Sequence, residues 1–224
     1  MAVLGALPAD TYGVGGHAPW TTGGRWSFDT ARRIVLPLLI RLDFAFATAL
    51  LVVAPLGLLL ASMRRPAVRG RLLAYWRASS LLMVTVYLMI DGRPGAFVAG
   101  PVALVLIPLA LYIGDGLFVA GRTPLGKTAV ATWFRRWRTG ATVFCGATLL
   151  LTLPALRCVG GTAGGSFCAA WLAPPRELHR ALHPSADPTI LGDAAAMGLL
   201  VYGAYLAGSV VRVGRDLWRS HAVR

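Results

Sequence analysis

One segment of the chain matches a motif of nucleotide chemistry at every position. Gly121–Thr128 (GRTPLGKT) fits the phosphate-loop pattern G-x-x-x-x-G-K-[ST]. In such a loop, backbone N–H groups cradle phosphates, the lysine neutralises them and the hydroxyl holds magnesium. The motif also requires a preceding strand and a carboxylate from a second strand. An apolar, helix-length segment precedes it here and leaves no room for an α/β sheet, so we interpret the match as coincidental, a Gly-Pro turn leading into a basic helix.

Two histidines and two cysteines in one connection are candidate metal ligands. His179 and His183 are four residues apart in RELHRALHP, on one face of a short helix, and are weak candidates for a metal site. We interpret them as surface residues and predict no metal and no cofactor. Cys158 and Cys168 flank a Gly-rich segment. They would form a disulfide on an oxidising face and stay thiols or bind metal on a reducing one; we favour the disulfide.

Ionisable residues inside apolar segments are costly to bury, so each is a candidate functional residue. Arg77 is the deepest of these. The hairpin register around Arg93 places Arg77 within reach of Asp115, which predicts a buried or interfacial ion pair. Asp43 and Asp193 enter apolar segments only near their ends. We therefore find no chain of carboxylates for a proton-coupled carrier, and no catalytic residues.

The elements that must position these residues are apolar. The 224 residues are 56% hydrophobic and only 14% charged, with 22 Lys+Arg against 9 Asp+Glu and a formal net charge of +13. Soluble domains carry roughly 25% charged residues. Long apolar runs also exclude a disordered basic tail and a nucleic-acid-binding domain. The remaining class is an all-α polytopic membrane helix bundle.

Five stretches meet or approach the roughly 20 apolar residues that a membrane-spanning helix needs. They are residues 42–61, 72–90, 96–114, 140–156 and 189–211. Residues 1–33 are predicted to be a flexible Gly-rich lead, and residues 34–220 a single membrane domain in which residues 157–188 form an outer loop. Arg41 and Asp43 are interpreted as the entry of the first span.

Basic residues set the orientation of these spans. Arginines are dense in Ser62–Arg71, between the third and fourth spans and in the C-terminal tail, and sparse in the other two connections. This alternation predicts the N-terminus outside and the C-terminus inside. The four arginines of the lead and first entry argue the opposite way; they are Arg25, Arg32, Arg33 and Arg41.

Two surfaces are predicted to meet partners. The segment before the fourth span interleaves aromatic and basic residues, a pattern suited to anionic headgroups or a partner subunit, in Trp133, Arg135, Arg136, Trp137 and Arg138. Gly203/Ala207 and Ala204/Gly208 are small-xxx-small pairs that let membrane helices approach closely. The predicted partners are the lipid bilayer with its anionic headgroups and other membrane-complex subunits, with no nucleic acid.

The order of several short motifs resembles a known family. They are Tyr75–Ile90 (YWRASSLLMVTVYLMI), Ile107-Pro108, Trp137-Arg138, Cys158 with Cys168, Trp171–Pro175 (WLAPP), Leu182–Pro184 and Tyr202 with Tyr205. Over residues 38–220 the chain resembles an uncharacterised integral-membrane family, a domain of unknown function, of cyanobacteria and plastids. The resemblance implies a photosynthetic lineage and a bacterial inner (plasma) or thylakoid membrane. His179 and the basic segment after Asp115 depart from the family pattern.

These observations favour a non-enzymatic role. We expect a structural or assembly/accessory factor of a membrane complex, in a photosynthetic membrane if the resemblance holds. The alternative is a small transporter or channel for an ion or anionic metabolite. That alternative would use Arg77 and the helices that Pro55 and Pro108 are expected to kink.

Overall fold

A computed structural model describes residues 26–117, 125–160 and 165–222. Side chains are described except those of residues 26–34, 113–117, 213, 216, 217 and 219–222. Within these ranges the chain is all-α and has no strand. It divides into two compact units, Met1–Val35 and Leu36–Arg224, and all side-chain contacts below lie within the second.

The helices follow one another through short connections. Helix α1, Trp26–Thr48, runs through a π-helical turn, Ala49–Val53, into α2, Ala54–Ala61. The others are α3, Pro66–Ile90; α4, Ala96–Leu117; α5, Ala129–Thr152, which continues as a 3₁₀ segment, Leu153–Gly160; α6, Ser166–Leu182; and α7, Pro188–Ala222. The α3–α4 hairpin is central, with α7 packed on α3 and α5 on α4.

Four helical segments are long and apolar enough to cross a membrane: Val35–Ala61, Pro66–Ile90, Ala129–Gly160 and Pro188–Arg212. They contain the first, second, fourth and fifth predicted spans. The third lies in α4, whose apolar part, Ala96–Tyr112, is shorter. The chain therefore has the composition and helix lengths of a membrane protein.

The first apolar helix starts earlier than predicted. Residues 1–25 of the predicted flexible lead lie outside the described residues, but the chain is helical from Trp26, before the predicted boundary at residue 33. Arg41 and Asp43 do not mark a helix start, because both lie inside α1. Each has a polar partner on another helix. The Arg41 guanidinium donates to Glu177 at 2.6 Å, and the Asp43 carboxylate accepts from the Thr148 hydroxyl at 2.6 Å.

The connection predicted as an outer loop, residues 157–188, is largely helical. The 3₁₀ segment reaches Gly160, and α6 occupies Ser166–Leu182. A proline pair normally precedes or breaks a helix, but Pro174 and Pro175 both lie buried inside α6. The connection therefore contributes a packed helix to the fold.

Pro55 shapes the first apolar helical segment, Val35–Ala61, where the sequence predicts a kink. A proline has no N–H, so the carbonyl of Leu51, four residues earlier, has no helical donor. The Ala54 N–H bonds to Ala49 O in the π-helical turn, which leaves the Leu50 carbonyl without its usual donor as well. The Trp137 indole donates to Leu50 O at 2.8 Å, and the buried Tyr75 hydroxyl donates to Leu51 O. Both orphaned carbonyls are therefore satisfied by α3 and α5.

Candidate functional site

The face predicted for headgroups or a partner divides into an exposed and a buried part. Trp133, Arg135 and Arg136 are exposed, and the Arg136 guanidinium carbon lies 5.9 Å from the centre of the Trp133 ring. Trp137 is buried beside Tyr75, with ring centres 5.0 Å apart, so its assignment to the exposed face is corrected. The helical period explains this division, since residues three apart share a face.

Arg138 lies at the edge of the same surface. It is half-buried, and its guanidinium carbon lies 4.4 Å from the centre of the Tyr112 ring. This geometry is a cation–π contact between α5 and α4. The surface available to headgroups is therefore formed by Trp133, Arg135 and Arg136, which we call the α5 basic face.

The phosphate-loop match is described only in its second half, because residues 121–124 lie outside the described residues. Gly126 has a φ of 68°, a value that favours glycine. The Thr128 hydroxyl accepts from the Ala131 N–H at 3.3 Å and caps α5. Arg135 donates to Gly126 O at 3.2 Å. The described half is therefore a turn and a helix cap, and the interpretation of the match as coincidental stays a prediction.

Arg77 is exposed on α3. It lines a cavity of about 240 Å³ between α3, α4 and α7, together with Tyr202 and Tyr205. The side chain of Asp115 lies outside the described residues, so the predicted ion pair with Arg77 stays a prediction.

The two candidate metal ligands, His179 in α6 and His183 directly after it, have different partners. The buried His179 ring has Nε2 3.0 Å from Ala186 O, and His183 Nε2 lies 3.2 Å from the Tyr87 hydroxyl. In the described ranges no three metal-ligating side chains cluster. His183 therefore connects the end of α6 to α3, and His179 connects α6 to the segment that leads into α7.

A polar network closes the end of the bundle at the α3–α4 turn. The Arg93 guanidinium lies 2.6 Å from Asp91 Oδ2 and 2.5 Å from Asp193 Oδ1 on α7. The hydrogen bond to Asp91, the larger cause, and the hydrogen bond to Asp193 raise the pKa of Arg93, which keeps its guanidinium cationic. Arg176 donates to Ile90 O at 3.4 Å and brings α6 to the same turn. Sequence reasoning treated Arg93 only as the middle of a sparse loop and missed this network.

A second candidate binding site is a cavity of about 370 Å³. Helices α1 and α3 form its sides, α4 and α5 its back, and α6 covers one end. We call it the α1–α3 cavity. Its lining is mostly apolar, with two internally bonded polar pairs, Asp43 with Thr148 and Tyr87 with His183.

Two tryptophans of the α1–α3 cavity have unused hydrogen-bond donors. The indole nitrogens of Trp76 on α3 and Trp171 on α6 are buried and have no hydrogen-bond partner among the described residues. An unmade buried donor costs roughly 1–3 kcal/mol. Both residues stand in motifs behind the resemblance, Trp76 in Tyr75–Ile90 and Trp171 in Trp171–Pro175, but sequence reasoning placed neither of them in a cavity.

The family comparison covers all of these features. Residues 37–220 match the family described as "Protein of unknown function (DUF3177)". The chain belongs to this family. The DUF3177 match begins inside α1 and includes both cavities, the α5 basic face and the two paired cysteines. It agrees with the extent of the resemblance found in the sequence. The chain matches no curated protein and no solved structure at a significant level.

Within the DUF3177 region, Cys158 and Cys168 join the 3₁₀ segment to α6. Their sulfurs lie at disulfide distance, 1.97 Å, and both residues are buried in a cluster with Trp171 and Leu172. Cys145 is a buried free thiol in α5.

We expect thiol counting to report this arrangement. After denaturation without reductant, a maleimide should add once, at Cys145, because the other two sulfurs are bonded to each other. After reduction it should add to all 3 cysteines of the chain. Intact-mass spectrometry measures the adducts, and Cys145→Ala is the control that should give none before reduction. Three adducts on wild-type protein before reduction would contradict the disulfide.

Proposed function

We propose that this DUF3177 protein is a five-span membrane protein that serves as a structural or assembly factor of a larger membrane complex. The observation that carries the proposal is the surface of α7. Through one face α7 packs on α3, and through the other it would meet a transmembrane helix of a partner subunit.

The two faces of α7 are distinct. A Cβ at Gly198 would lie 3.4 Å from Val84 of α3, and Ala195 is buried on the same side. On the opposite side, Gly203, Ala204, Ala207 and Gly208 are all exposed. Lipid-facing positions gain nothing from small side chains, whereas helix–helix contacts in membranes favour them because the backbones can approach. The outward small-residue face therefore suits a second helix.

The proposed topology is supported by the distribution of basic residues. With five spans, the N-terminus lies outside, and Ser62–Arg71, the α5 basic face and the C-terminal tail lie inside. Helix α7 is 35 residues long, or about 52 Å, so its arginine-bearing end extends past a hydrocarbon layer of about 30 Å. The exposed Trp133, Arg135 and Arg136 would then contact anionic headgroups.

The membrane itself is proposed from the resemblance. The motif order of Tyr75–Ile90, Trp171–Pro175 and the following segments supports a photosynthetic lineage. A thylakoid or bacterial plasma membrane is the location that follows, and a photosynthetic complex is the assembly we propose for the partner subunit.

We favour this role over the transporter that the sequence left as the alternative. Arg77, which a transporter would use, is exposed next to a cavity whose remaining lining is apolar apart from two tyrosines and one serine. A long cationic side chain at such a rim reaches toward the headgroup layer or a neighbouring subunit. Its position fits an interfacial anchor.

The double variant Gly203→Leu/Gly208→Leu tests the role of α7. A Cβ at either glycine meets nothing within 4 Å, so the monomer should fold as before. The bulkier face should prevent close helix contact and reduce co-purifying partner protein about tenfold, the effect of a loss of about 1.4 kcal/mol. Mild-detergent purification with quantitative mass spectrometry measures this.

The matched control is Gly57→Leu/Gly146→Leu, since both glycines are exposed and a Cβ at either meets nothing within 4 Å. It should retain the partner. The proposal fails if wild-type protein migrates reproducibly as a lone monomer, or if the α7 variant keeps its partner as well as the control does.

A further inference from the structure

Helix α7 packs closely on α3 in its first half and borders a cavity in its second half. Ala195 is buried, and a Cβ at Gly198 would lie 3.4 Å from a side chain of α3. Further along the same side of α7, Tyr202 and Tyr205 line the cavity of about 240 Å³ between α3, α4 and α7, which we call the Arg77 cavity. The spacing of packed helices depends on the side chains at the contact, so the change from small residues to tyrosines opens this space.

The walls of the Arg77 cavity are apolar and its rim is exposed. Ala78 of α3 and Ala110 of α4 line it and are buried. Leu109 of α4 and Val210 of α7 also line it, and they are 44% and 71% exposed. The cavity therefore opens between α4 and α7. In a bilayer this opening faces the hydrocarbon layer, so the acyl chain of a surrounding lipid reaches it without crossing water.

Arg77 adds one cation to this apolar surface. It is exposed, and none of the described side chains forms an ion pair or a hydrogen bond with its guanidinium. At about 1.5 Å per residue, Arg77 lies about 21 Å along α3 from Asp91, which belongs to the polar network at one end of the bundle. A hydrocarbon layer of about 30 Å that begins at this network ends about 9 Å beyond Arg77. The long side chain can therefore bring its charge close to the headgroups.

We propose that the Arg77 cavity binds one anionic phospholipid, with an acyl chain between α4 and α7 and the phosphate on the Arg77 guanidinium. A volume of about 240 Å³ is below the usual range for sites that enclose a whole small molecule, and suits one chain of a larger amphiphile. The phosphate supplies the charge complementary to Arg77, as in other basic pockets between membrane helices. The partner helix proposed above would meet the opposite side of α7, so the two proposals are independent.

The experiment titrates lipids into the full chain in a neutral detergent and counts bound lipids by native mass spectrometry. Dioleoyl phosphatidylglycerol is compared with dioleoyl phosphatidylcholine, which has the same chains and a phosphate but no net charge. The first phosphatidylglycerol should bind at least about tenfold more tightly. Glycerol phosphate should not displace it, because that molecule has no chain for the cavity. Equal affinity for the two lipids, or displacement by an equal concentration of glycerol phosphate, would overturn the proposal.

Charge variants connect this binding to Arg77. Arg77→Gln should weaken binding of phosphatidylglycerol about tenfold, whereas Arg77→Lys keeps a cation for the phosphate and should retain most of the affinity. The matched control is Arg69→Gln, which removes one exposed arginine from the same helix outside the cavity. It should bind as wild type does.

Val210→Trp tests the cavity while it leaves the charge in place, and keeps the test decisive if Arg77→Gln fails to fold. Val210 is exposed at the opening, so a larger side chain there obstructs the space without entering the core. The variant should retain the wild-type melting temperature and bind phosphatidylglycerol at least about tenfold more weakly. Wild-type affinity in a folded Arg77→Gln or Val210→Trp protein would refute this site.

Asp115→Asn tests the carboxylate that the sequence predicts as the partner of Arg77. Wild-type affinity for phosphatidylglycerol in this variant would support the proposal. Tighter binding would show that Asp115 competes with the lipid for the guanidinium, and would overturn the assignment of Arg77 to the phosphate.

Discussion

Tyr75→Phe should lower the free energy of unfolding by about 1–3 kcal/mol, the usual penalty for an unsatisfied buried polar group. The fully buried Tyr75 hydroxyl donates to Leu51 O, which Pro55 deprives of its helical donor. No water is present in the hydrocarbon layer to replace the lost bond. Reversible unfolding in mixed micelles, followed by circular dichroism, measures the change.

In a Pro55→Ala background, Tyr75→Phe should lower the free energy of unfolding much less. The alanine introduced at this position supplies the backbone N–H that Leu51 O lacks, so the carbonyl stays satisfied without Tyr75. We therefore expect the effect of Tyr75→Phe to fall below about 0.5 kcal/mol in the Pro55→Ala background, which is the coupling that a double-mutant cycle measures.

Tyr202→Phe is the matched control for this cycle. The Tyr202 hydroxyl donates to Ala78 O at 3.4 Å, but no proline follows Ala78 in α3, so that carbonyl keeps its helical donor. The effect of Tyr202→Phe should be small and the same in both backgrounds. An equal loss for Tyr75→Phe with and without Pro55 would show that the orphaned carbonyl is not the reason for the bond.

Gly192→Ala should be the most damaging single methyl in the described part of the chain. A Cβ at Gly192 would lie 2.6 Å from the Cβ of Asp91 and would overlap its carboxylate. Helix α7 would have to move away from the α3–α4 turn, which also separates Asp193 from Arg93. We expect a loss of about 3 kcal/mol, the upper end of ordinary overpacking, measured by thermal unfolding.

Two further variants define the cause of that loss. Gly146→Ala adds the same methyl to an exposed helical position with nothing within 4 Å, and should be neutral or slightly stabilising because alanine favours helix. Asp91→Gly, combined with Gly192→Ala, removes the overlapping side chain and should recover much of the stability. If Gly192→Ala melts with the wild type, the close contact of α7 with the turn is wrong.

Hydropathy was sufficient to locate the apolar helices but not the start of the first one. It counts Arg41 and Asp43 as charges without partners, whereas their partners are Glu177 and Thr148, 136 and 105 residues away. Nothing local in the sequence indicates such pairings. The helix in the connection between α5 and α7 was missed for a similar reason. Pro174-Pro175 predicts a helix break, and only the tertiary packing of α6 shows that both prolines lie inside a helix.

The misassignment of Trp137 had a signal in the sequence. Phe134, Trp137, Ala141 and Cys145 recur at helical spacing and are all buried, whereas Trp133 and Arg136 share the exposed side. Reading the segment by its period would have separated the two faces. The α1–α3 cavity had no comparable signal, since its lining comes from helical segments far apart in the chain.

The bond between Cys158 and Cys168 has a consequence for the order in which the protein matures. Helix α6 and the residue that follows it carry the part of the α1–α3 cavity that includes Trp171, His179 and His183. Cys168 ties the first turn of α6 to Cys158 in the 3₁₀ segment. In the proposed topology the connection that holds these cysteines lies on an oxidising side, so the disulfide would form only after the flanking helices have entered the membrane. The newly inserted chain would therefore have an unfinished cavity, and the last wall would be secured by a redox reaction on the far side of the bilayer.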